Sequence, residues 1–197
     1  MLEKEARLDP RAVRTRQYLQ QAMGELLGEK RFHEISVQDI TARAGVNRAT
    51  FYAHFVDKYD LLNTSIREMY QNMLDEKLPA QPVFNRANMR LLIITVFEFL
   101  EGFIGHCSPG SISSEQGLMA QQVQVHTQTI LRGWLERSGA VAQHELEAVS
   151  SIASWMIFGP IVQVTWERKK VSANSVAEQL LPLIEVGLGA YMHAGVS

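Results

Sequence analysis

Residues 47–54 combine small, aromatic and basic side chains at spacings that suit contact with a nucleic acid. In a helix, successive side chains turn by about 100°. Phe51 and Phe55 then share one face, whereas Ala49 and Ala53 lie on the opposite face. Alanines on an outward face let a helix approach base edges closely, and their methyl groups can contact thymine. The pattern predicts a helix that packs by its aromatic side and docks by its small side.

The polar residues of this segment add specific chemistry. The guanidinium of Arg48 can donate two hydrogen bonds to guanine, to O6 and N7, which discriminates against a wrong base by about 1–3 kcal/mol. Thr50 and Tyr52 flank the outward face. A helix over residues 47–54 would be about 12 Å long at ~1.5 Å per residue, close to the ~12 Å width of the B-DNA major groove. These dimensions predict a recognition helix.

The preceding residues predict the helix and turn that would present this recognition helix. Ser36 followed by Asp39 is a capping-box pattern at the start of a helix. Gly45 can adopt the positive φ that a tight turn between two helices requires, and Asn47 can cap the second helix. Residues 36–55 therefore predict a helix-turn-helix.

Two further helices are predicted to support it. Asp9 and Pro10 form a cap and a first-turn proline, and apolar residues recur after them at helical spacing: Leu19, Ala22, Met23, Leu26 and Leu27. Asp57 is the predicted cap of a longer helix with its own apolar stripe: Leu61, Leu62, Ile66, Met69 and Met73. We expect the start of this longer helix to lie beside the DNA backbone.

Together these motifs resemble the TetR family of one-component transcriptional regulators. The resemblance covers roughly residues 11–72 and follows one continuous run: Ser36-Val37-Gln38-Asp39-Ile40-Thr41, Ala44-Gly45-Val46, Thr50-Phe51-Tyr52-Ala53-His54-Phe55, Lys58 and Leu61-Leu62. It implies that the DNA contacts come from Ser36, Gln38, Arg48, Ala49, Thr50, Tyr52, His54 and Lys58. In this interpretation Tyr52 and Lys58 position the protein, whereas Arg48 and Thr50 discriminate between bases.

The overall charge does not by itself indicate DNA binding. The chain has 19 Lys and Arg against 21 Asp and Glu, a net charge of −2. Residues 10–48, however, hold seven basic and four acidic side chains, so attraction of phosphate would be local. Arg11, Arg14 and Arg16 form a basic start to the first helix, which could reach the DNA backbone or minor groove. A solvated basic terminus is the alternative.

The rest of the chain predicts a second, larger helical region. Leu78-Pro79-Ala80-Gln81-Pro82 breaks the helical pattern, so we expect a DNA-binding domain over residues 11–72 and a regulatory and dimerisation domain over residues 85–195. Helices are predicted over about Met89–Phe103, Ser114–Arg137, Val141–Lys169 and Ala173–His193, with kinks at Pro160 and Pro182. Because no strand pattern occurs, the predicted fold is all-α: a three-helix helix-turn-helix domain and a helical ligand-binding and dimerisation bundle, about nine helices in total.

The composition argues against a membrane or secreted protein. The most apolar stretch, residues 89–103, is interrupted by charges and is shorter than the ~18 apolar residues of a membrane span. The first residues lack the apolar core of a secretory signal, and one cysteine cannot form an internal disulfide. We expect a cytoplasmic protein.

The resemblance also implies a homodimer that pairs through the last two helices and places one recognition helix on each half of a palindromic operator. It further implies a cavity among the middle helices for a small, largely apolar effector that relieves repression. The side chains predicted to line it are Phe97, Leu100, Phe103, Met119, Val123, His126, Trp134 and Trp155. The sequence does not decide between a repressor and an activator.

Two other classes of function are open to the sequence. His106, Cys107, Glu115 and His126 could serve a metal- or redox-responsive regulator, although they lack tight metal-ligand spacing. Cys107 alone is more typical of a buried or inert thiol. An enzyme is disfavoured because nucleophile-elbow, phosphate-binding glycine-loop and paired His-Glu motifs are absent from the sequence. No cofactor or metal is predicted.

Overall fold

The computed structural model describes residues 9–106, 114–139, 141–167 and 169–192, which form helices joined by short connections. Eight α-helices and one short 3-10 helix occur in this part of the chain. Their bounds are Pro10–Glu29 (α1), Val37–Ala44 (α2), Arg48–Tyr52 (α3), Lys58–Lys77 (α4), Arg86–His106 (α5), Ser114–Ser138 (α6), Leu146–Trp166 (α7) and Ala173–Met192 (α8), with the 3-10 helix at Phe32–Glu34. The predicted all-α fold is confirmed.

The chain forms two compact units, Met1–Ser65 and Ile66–Ser197. The division falls within α4, which therefore contributes residues to both units. The proline-rich segment Leu78–Pro82 joins α4 to α5 inside the second unit, rather than separating the two units.

The first unit packs its helices around a small apolar core. α1 begins where Asp9 Oδ1 accepts a hydrogen bond from the backbone N–H of Arg11 (3.0 Å), with Pro10 in the first helical position. The apolar face predicted for this helix is buried, with Leu19 0% and Met23 1% exposed. Burial of such a face is what stabilises a helix of this composition in water.

Arg43 ties α2 to α1 in the first unit. Its guanidinium donates two hydrogen bonds to the carboxylate of Glu29 (2.9 and 2.8 Å) and a third to Glu25 (3.2 Å). The hydrogen bonds from Arg43 hold the pKa of Glu29 below its ordinary value. A planar guanidinium suits this fork of carboxylate contacts, so Arg43 serves the fold.

The second unit is built around α7. This helix packs against α5, α6 and α8, and α5 also packs against α8. In the part of the chain that the structure describes, α7 alone is long and apolar enough to cross a membrane by length and composition, and 50% of that window is buried. An apolar helix with several packed neighbours is typical of a protein core.

The helix ends differ from prediction mainly at α7, which begins at Leu146 rather than Val141. Val141 is buried, but the next residues form a turn in which the Glu145 N–H donates to the Ala142 carbonyl (2.9 Å). Glu145 makes no side-chain cap, so the sequence carries no start signal. By contrast, Gly139, with φ of 62°, follows the end of α6 as predicted.

The prolines predicted to bend the last two helices do not end them. α7 continues through Pro160 and α8 continues through Pro182. The bend expected at each proline, where one backbone hydrogen bond is lost, stays a prediction.

Candidate nucleic-acid interface

A reciprocal pair of hydrogen bonds starts α2. The Asp39 N–H donates to Ser36 Oγ (3.1 Å), and the Ser36 N–H donates to Asp39 Oδ2 (2.8 Å). Lys30 Nζ lies 2.9 Å from the same carboxylate oxygen. The Ser36 N–H, followed by Lys30, holds the pKa of Asp39 well below its ordinary value. The predicted capping box is confirmed.

The Ser36 hydroxyl is also occupied within this cap. Ser36 Oγ donates to Asp39 Oδ2 at 2.8 Å. A hydroxyl has one proton to donate, so the proton that could have reached a DNA phosphate is directed at Asp39. A direct phosphate contact from Ser36 would require this bond to break.

The turn between α2 and α3 follows the sequence signals. Gly45 has φ of 69° and ψ of 28°, the left-handed conformation expected of it. The Val46 N–H then donates to the Thr41 carbonyl (3.0 Å). Asn47 Oδ1 accepts hydrogen bonds from both the N–H (2.8 Å) and the hydroxyl (3.0 Å) of Thr50. Both the glycine turn and the asparagine cap are confirmed.

The bond from Thr50 to Asn47 limits what Thr50 can recognise. Because its hydroxyl proton points at Asn47 Oδ1, the oxygen is left to accept. In the major groove the hydrogen-bond donors are the amino groups of adenine and cytosine. The Thr50 hydroxyl therefore suits a hydrogen bond with one of those bases rather than with guanine or thymine.

Helix α3 is shorter than predicted, running from Arg48 to Tyr52 instead of over residues 47–54. A turn follows it, in which the His54 and Phe55 N–H groups both donate to the Phe51 carbonyl (2.9 Å each). At ~1.5 Å per residue the helix is about 7.5 Å long.

The division of α3 into two faces is as predicted. Phe51 and Phe55 are 0% and 2% exposed, whereas Ala49 and Ala53 are exposed. Tyr52 is 53% exposed and packs edge-on against the Phe51 ring, with centroids 5.4 Å apart. Phe51 and Phe55 anchor the helix in the core, and Ala49 and Ala53 are left accessible.

Arg48 is the accessible cation of α3. Its side chain is exposed, and no ion pair to it occurs among the residues that the structure describes. Lys30 and Arg43 in the same unit pair with carboxylates instead. Arg48 is therefore available to a base or phosphate.

Lys58, a predicted phosphate contact, makes hydrogen bonds within the first unit. Its ammonium donates to the carbonyls of Phe32 (2.9 Å), His33 (3.2 Å) and Ile35 (2.7 Å). It also lies 4.6 Å from the centroid of the Phe32 ring. An ammonium has three protons, so these contacts use its donors to hold the 3-10 segment against α4.

The two remaining predicted DNA contacts, Gln38 and His54, are both accessible. Gln38 is exposed on α2. His54 is partly exposed beyond the end of α3, and its ring centroid lies 6.5 Å from that of Phe55. In the basic start of α1, Arg11 and Arg14 are exposed, but the guanidinium of Arg16 lies 4.8 Å from the Phe55 ring centroid. Sequence reasoning missed this packing role, for which no local signal exists.

The side chains proposed for an effector pocket differ in their burial. Phe97, Leu100 and Val123 are packed in the core, at most 4% exposed, whereas Trp155 is 55% exposed. His126 is partly buried and its Nε2 lies 2.8 Å from Gln71 Oε1. Trp134 lines a cavity between α4, residues 78–82 and α6. The side chains of Phe103 and Met119 lie outside the described residues.

A metal site receives no support from the part of the chain that is described, where no group of three or more His, Cys, Asp and Glu could hold an ion. Cys107 and the side chains of His106 and Glu115 lie outside the described residues. Burial, followed by the charge of Arg67, lowers the pKa of His126 from its ordinary value. The lowered pKa favours the neutral imidazole.

Sequence comparison identifies relatives of the first unit. Residues 21–64 match the family described as "Bacterial regulatory proteins, tetR family". The chain is similar to the "Uncharacterized HTH-type transcriptional regulator YxbF" of Bacillus subtilis (strain 168), with 42% identity over 74 residues. That match covers 37% of this chain and 20% of the relative, so the chain spans about a fifth of the length of that protein.

Structural comparison extends over nearly the whole chain. The transcriptional regulator FadR from Bacillus subtilis, solved in complex with stearoyl-CoA, has a TM-score of 0.56 and 18% identity, and the match covers 85% of this chain and 96% of FadR. The dihydroxyacetone kinase operon activator DhaS has a TM-score of 0.59 and 15% identity, with coverage of 90% and 98%. These likenesses establish the fold. Residues 21–64, which include the helix-turn-helix, therefore match the tetR family of bacterial regulatory proteins.

Proposed function

We propose that this protein is a sequence-specific transcriptional regulator that inserts α3 into the major groove of duplex DNA. The observation that carries the proposal is the two-sided construction of α3. Phe51 and Phe55 are buried, and Ala49 and Ala53 leave a slim exposed face. A surface helix without a partner has no need of small residues on its outer face, whereas a helix in a groove does.

Two kinds of DNA contact are assigned on this face. Arg48 and Thr50 contact bases, because the first has free donors and the second has a free acceptor. Tyr52 contacts the phosphate backbone beside α3, which sets register without reading sequence. Gln38, Ala49 and His54 are secondary contacts at the edge of the same surface.

Lys58 is assigned a different role from the one that the sequence suggested. Its three hydrogen bonds to carbonyls of residues 32–35 hold the segment that precedes α2. We therefore treat Lys58 as a positioning residue, which sets where the helix-turn-helix lies on α4. It need not touch DNA.

A homodimer is the proposed active form. In the second unit, large apolar side chains are exposed on α7 and α8: Ile152, Trp155, Trp166, Leu183, Val186 and Tyr191. An exposed apolar surface of this kind marks a protein contact. A second copy is the proposed partner, because a two-fold dimer presents two recognition helices to half-sites about one helical turn, or a multiple of it, apart.

The proposed regulation is repression that a small effector relieves, acting in the cytoplasm. A largely apolar effector agrees with the stearoyl-CoA bound by the structurally similar FadR. Activation is the second candidate, since the similar DhaS is named an operon activator. Transcription from the bound promoter, measured with and without the purified protein, distinguishes repression from activation.

The first test is selection of bound duplexes from a random DNA pool by the purified protein at near-physiological salt. Enrichment of a palindrome is the expected result, because each protomer of a symmetric dimer would select the same half-site. Enrichment of a single half-site would contradict the dimer, and a pool that stays random would contradict sequence-specific binding.

A further inference from the structure

A cavity of about 560 Å³ lies within the second unit. The second half of α4, the loop of residues 78–82 and the last turns of α6 form its walls. Its volume lies within the ~300–1,000 Å³ of small-molecule sites. The lining mixes apolar and polar side chains, among them Leu74, Ile130, Trp134, Gln71, Asp75 and Arg137.

Arg137 supplies the positive charge of this cavity. Its Nη2 donates to the Pro82 carbonyl (2.7 Å), which fixes the guanidinium against the loop. Gly133, one turn earlier on α6, provides the space: a Cβ there would lie 3.2 Å from Arg137 Nη1. No carboxylate pairs with Arg137 among the described residues, whereas Arg132 on the same helix pairs with Glu147.

The α4 wall offers a different set of groups. Gln71 donates from Nε2 to Asp75 Oδ1 (2.7 Å), and its Oε1 lies 2.8 Å from His126 Nε2. The amide of Gln71 is therefore held at both ends. Asp75 is exposed, and a carboxylate on this wall repels a second negative charge and accepts a hydrogen bond from a donor.

We propose that this cavity is the effector site and that it takes a small organic monocarboxylate with an apolar body. Arg137 binds the carboxylate with the donors that Pro82 leaves free, because guanidinium and carboxylate match in geometry. The apolar body packs on Leu78, Pro79 and Ile130, the lining apolar residues that have accessible surface. The inference rests on the proposed function, and it adds a carboxylate to the largely apolar effector proposed there.

The position of the cavity on α4 provides a route for control of DNA binding. α4 is continuous from Lys58 to Lys77. A ligand in the cavity contacts the second half of this helix, and Lys58 at its start holds residues 32–35, which precede α2. Displacement of Leu74 or Asp75 by the ligand would act on that helix. An allosteric coupling free energy of about 1–3 kcal/mol suffices to change operator affinity about 5- to 150-fold.

The experiment uses the full chain in which the three tryptophans are replaced by 5-fluorotryptophan. Each labelled position then contributes its own ¹⁹F signal. A Trp134→Phe variant assigns the signal of Trp134. The probes are benzoate, 4-phenylbutyrate and octanoate, each paired with its neutral amide. At least one acid is expected to shift the Trp134 signal saturably and to bind about tenfold or more tightly than its amide.

Arg137→Gln is expected to abolish the preference for the acid over the amide. Arg132→Gln is the matched control, because it removes an arginine from the same helix outside the cavity. Equal binding of acid and amide, an unchanged preference in Arg137→Gln, or the absence of any shift with all three acids would overturn the proposal.

DNA selection separates this inference from the proposed function. Arg137→Gln is expected to enrich the same operator as the unmodified protein, which also shows that the variant folds. A palindrome without acid binding overturns only the cavity assignment. Acid binding without operator enrichment supports the cavity assignment and contradicts the proposed function.

Discussion

At the residue scale, Arg48 is the side chain expected to carry most of the base recognition. It is exposed and, among the described residues, without an ion-pair partner. Arg48→Ala should reduce operator affinity by about 1–3 kcal/mol and relax preference at one base position of each half-site. Competition binding with operators changed at single positions measures both effects.

Tyr52→Ala provides the contrast for that experiment. Loss of a phosphate contact should weaken every sequence by a similar factor and leave the base preference unchanged. If Arg48→Ala also weakened all operators equally, its role in base recognition would be wrong and it would be a backbone contact.

Lys58 permits a second test at this scale. Lys58→Met should lower the free energy of unfolding by about 1–2 kcal/mol, because the carbonyls of residues 32, 33 and 35 lose a charged donor. Denaturant unfolding measures this loss. Tyr52→Ala, which removes a half-exposed ring packed on Phe51, should lower stability by a smaller amount, about 0.5 kcal/mol.

The salt dependence of DNA binding decides whether Lys58 is also a phosphate ligand. A positioning residue leaves the slope of log affinity against log salt unchanged when it is replaced. Loss of one phosphate contact would reduce that slope by about 0.9. A reduced slope in Lys58→Met would contradict the positioning role.

At the scale of the element, the turn between α2 and α3 depends on one backbone conformation. Gly45 has φ of 69° and no atom within 4 Å of the Cβ that an alanine would add. Gly45→Ala should therefore destabilise the protein by about 1–2 kcal/mol through backbone strain alone. Urea unfolding followed by circular dichroism measures the change.

Gly28→Ala is the matched control. Gly28 lies near the end of α1, with no atom within 4 Å of an added Cβ and no positive φ. Alanine there should be neutral or stabilise the helix by up to about 1 kcal/mol. Equal destabilisation by both substitutions would mean that the conformation of Gly45 is not what limits the turn.

Local elements were the most predictable part of the fold. The caps of α1, α2 and α3 each join residues two or three positions apart, so the short-range pattern contains both partners. The start of α7 was not predictable in this way. Its first turn lacks a side-chain cap, and the position is set by burial of Val141 and Leu146 in the core.

At the scale of the whole molecule, the dimer proposal makes a prediction about α8. Val186 is 80% exposed and Leu183 is 62% exposed, which an isolated chain would not favour. Val186→Glu should convert the dimer to a monomer, because burial of an unpaired carboxylate opposes association. Light scattering after size-exclusion chromatography measures the mass.

Val125→Glu is the control for that change. Val125 is 48% exposed on α6, outside the proposed dimer face, so this variant should remain a dimer.

Val186→Glu should also lose affinity for the full palindrome and retain weak binding to a half-site. A dimeric Val186→Glu protein would place the interface on another surface.

The sequence by itself determined the all-α fold, the helix-turn-helix and the faces of α3. Each depends on helical periodicity or on contacts between residues a few positions apart, which are present in the local pattern. The conformations of Gly45 and Asn47 were therefore predictable before any tertiary contact was known.

The tertiary structure alone decided which charged side chains are free. Lys58 donates to carbonyls 23 to 26 positions away, and Arg137 donates to a carbonyl 55 positions away. A long cationic side chain can reach many partners, and only folding brings one set within hydrogen-bond distance. For that reason the sequence did not reveal the bonds from Lys58 to these carbonyls, and Arg137 was not singled out although it lines the cavity.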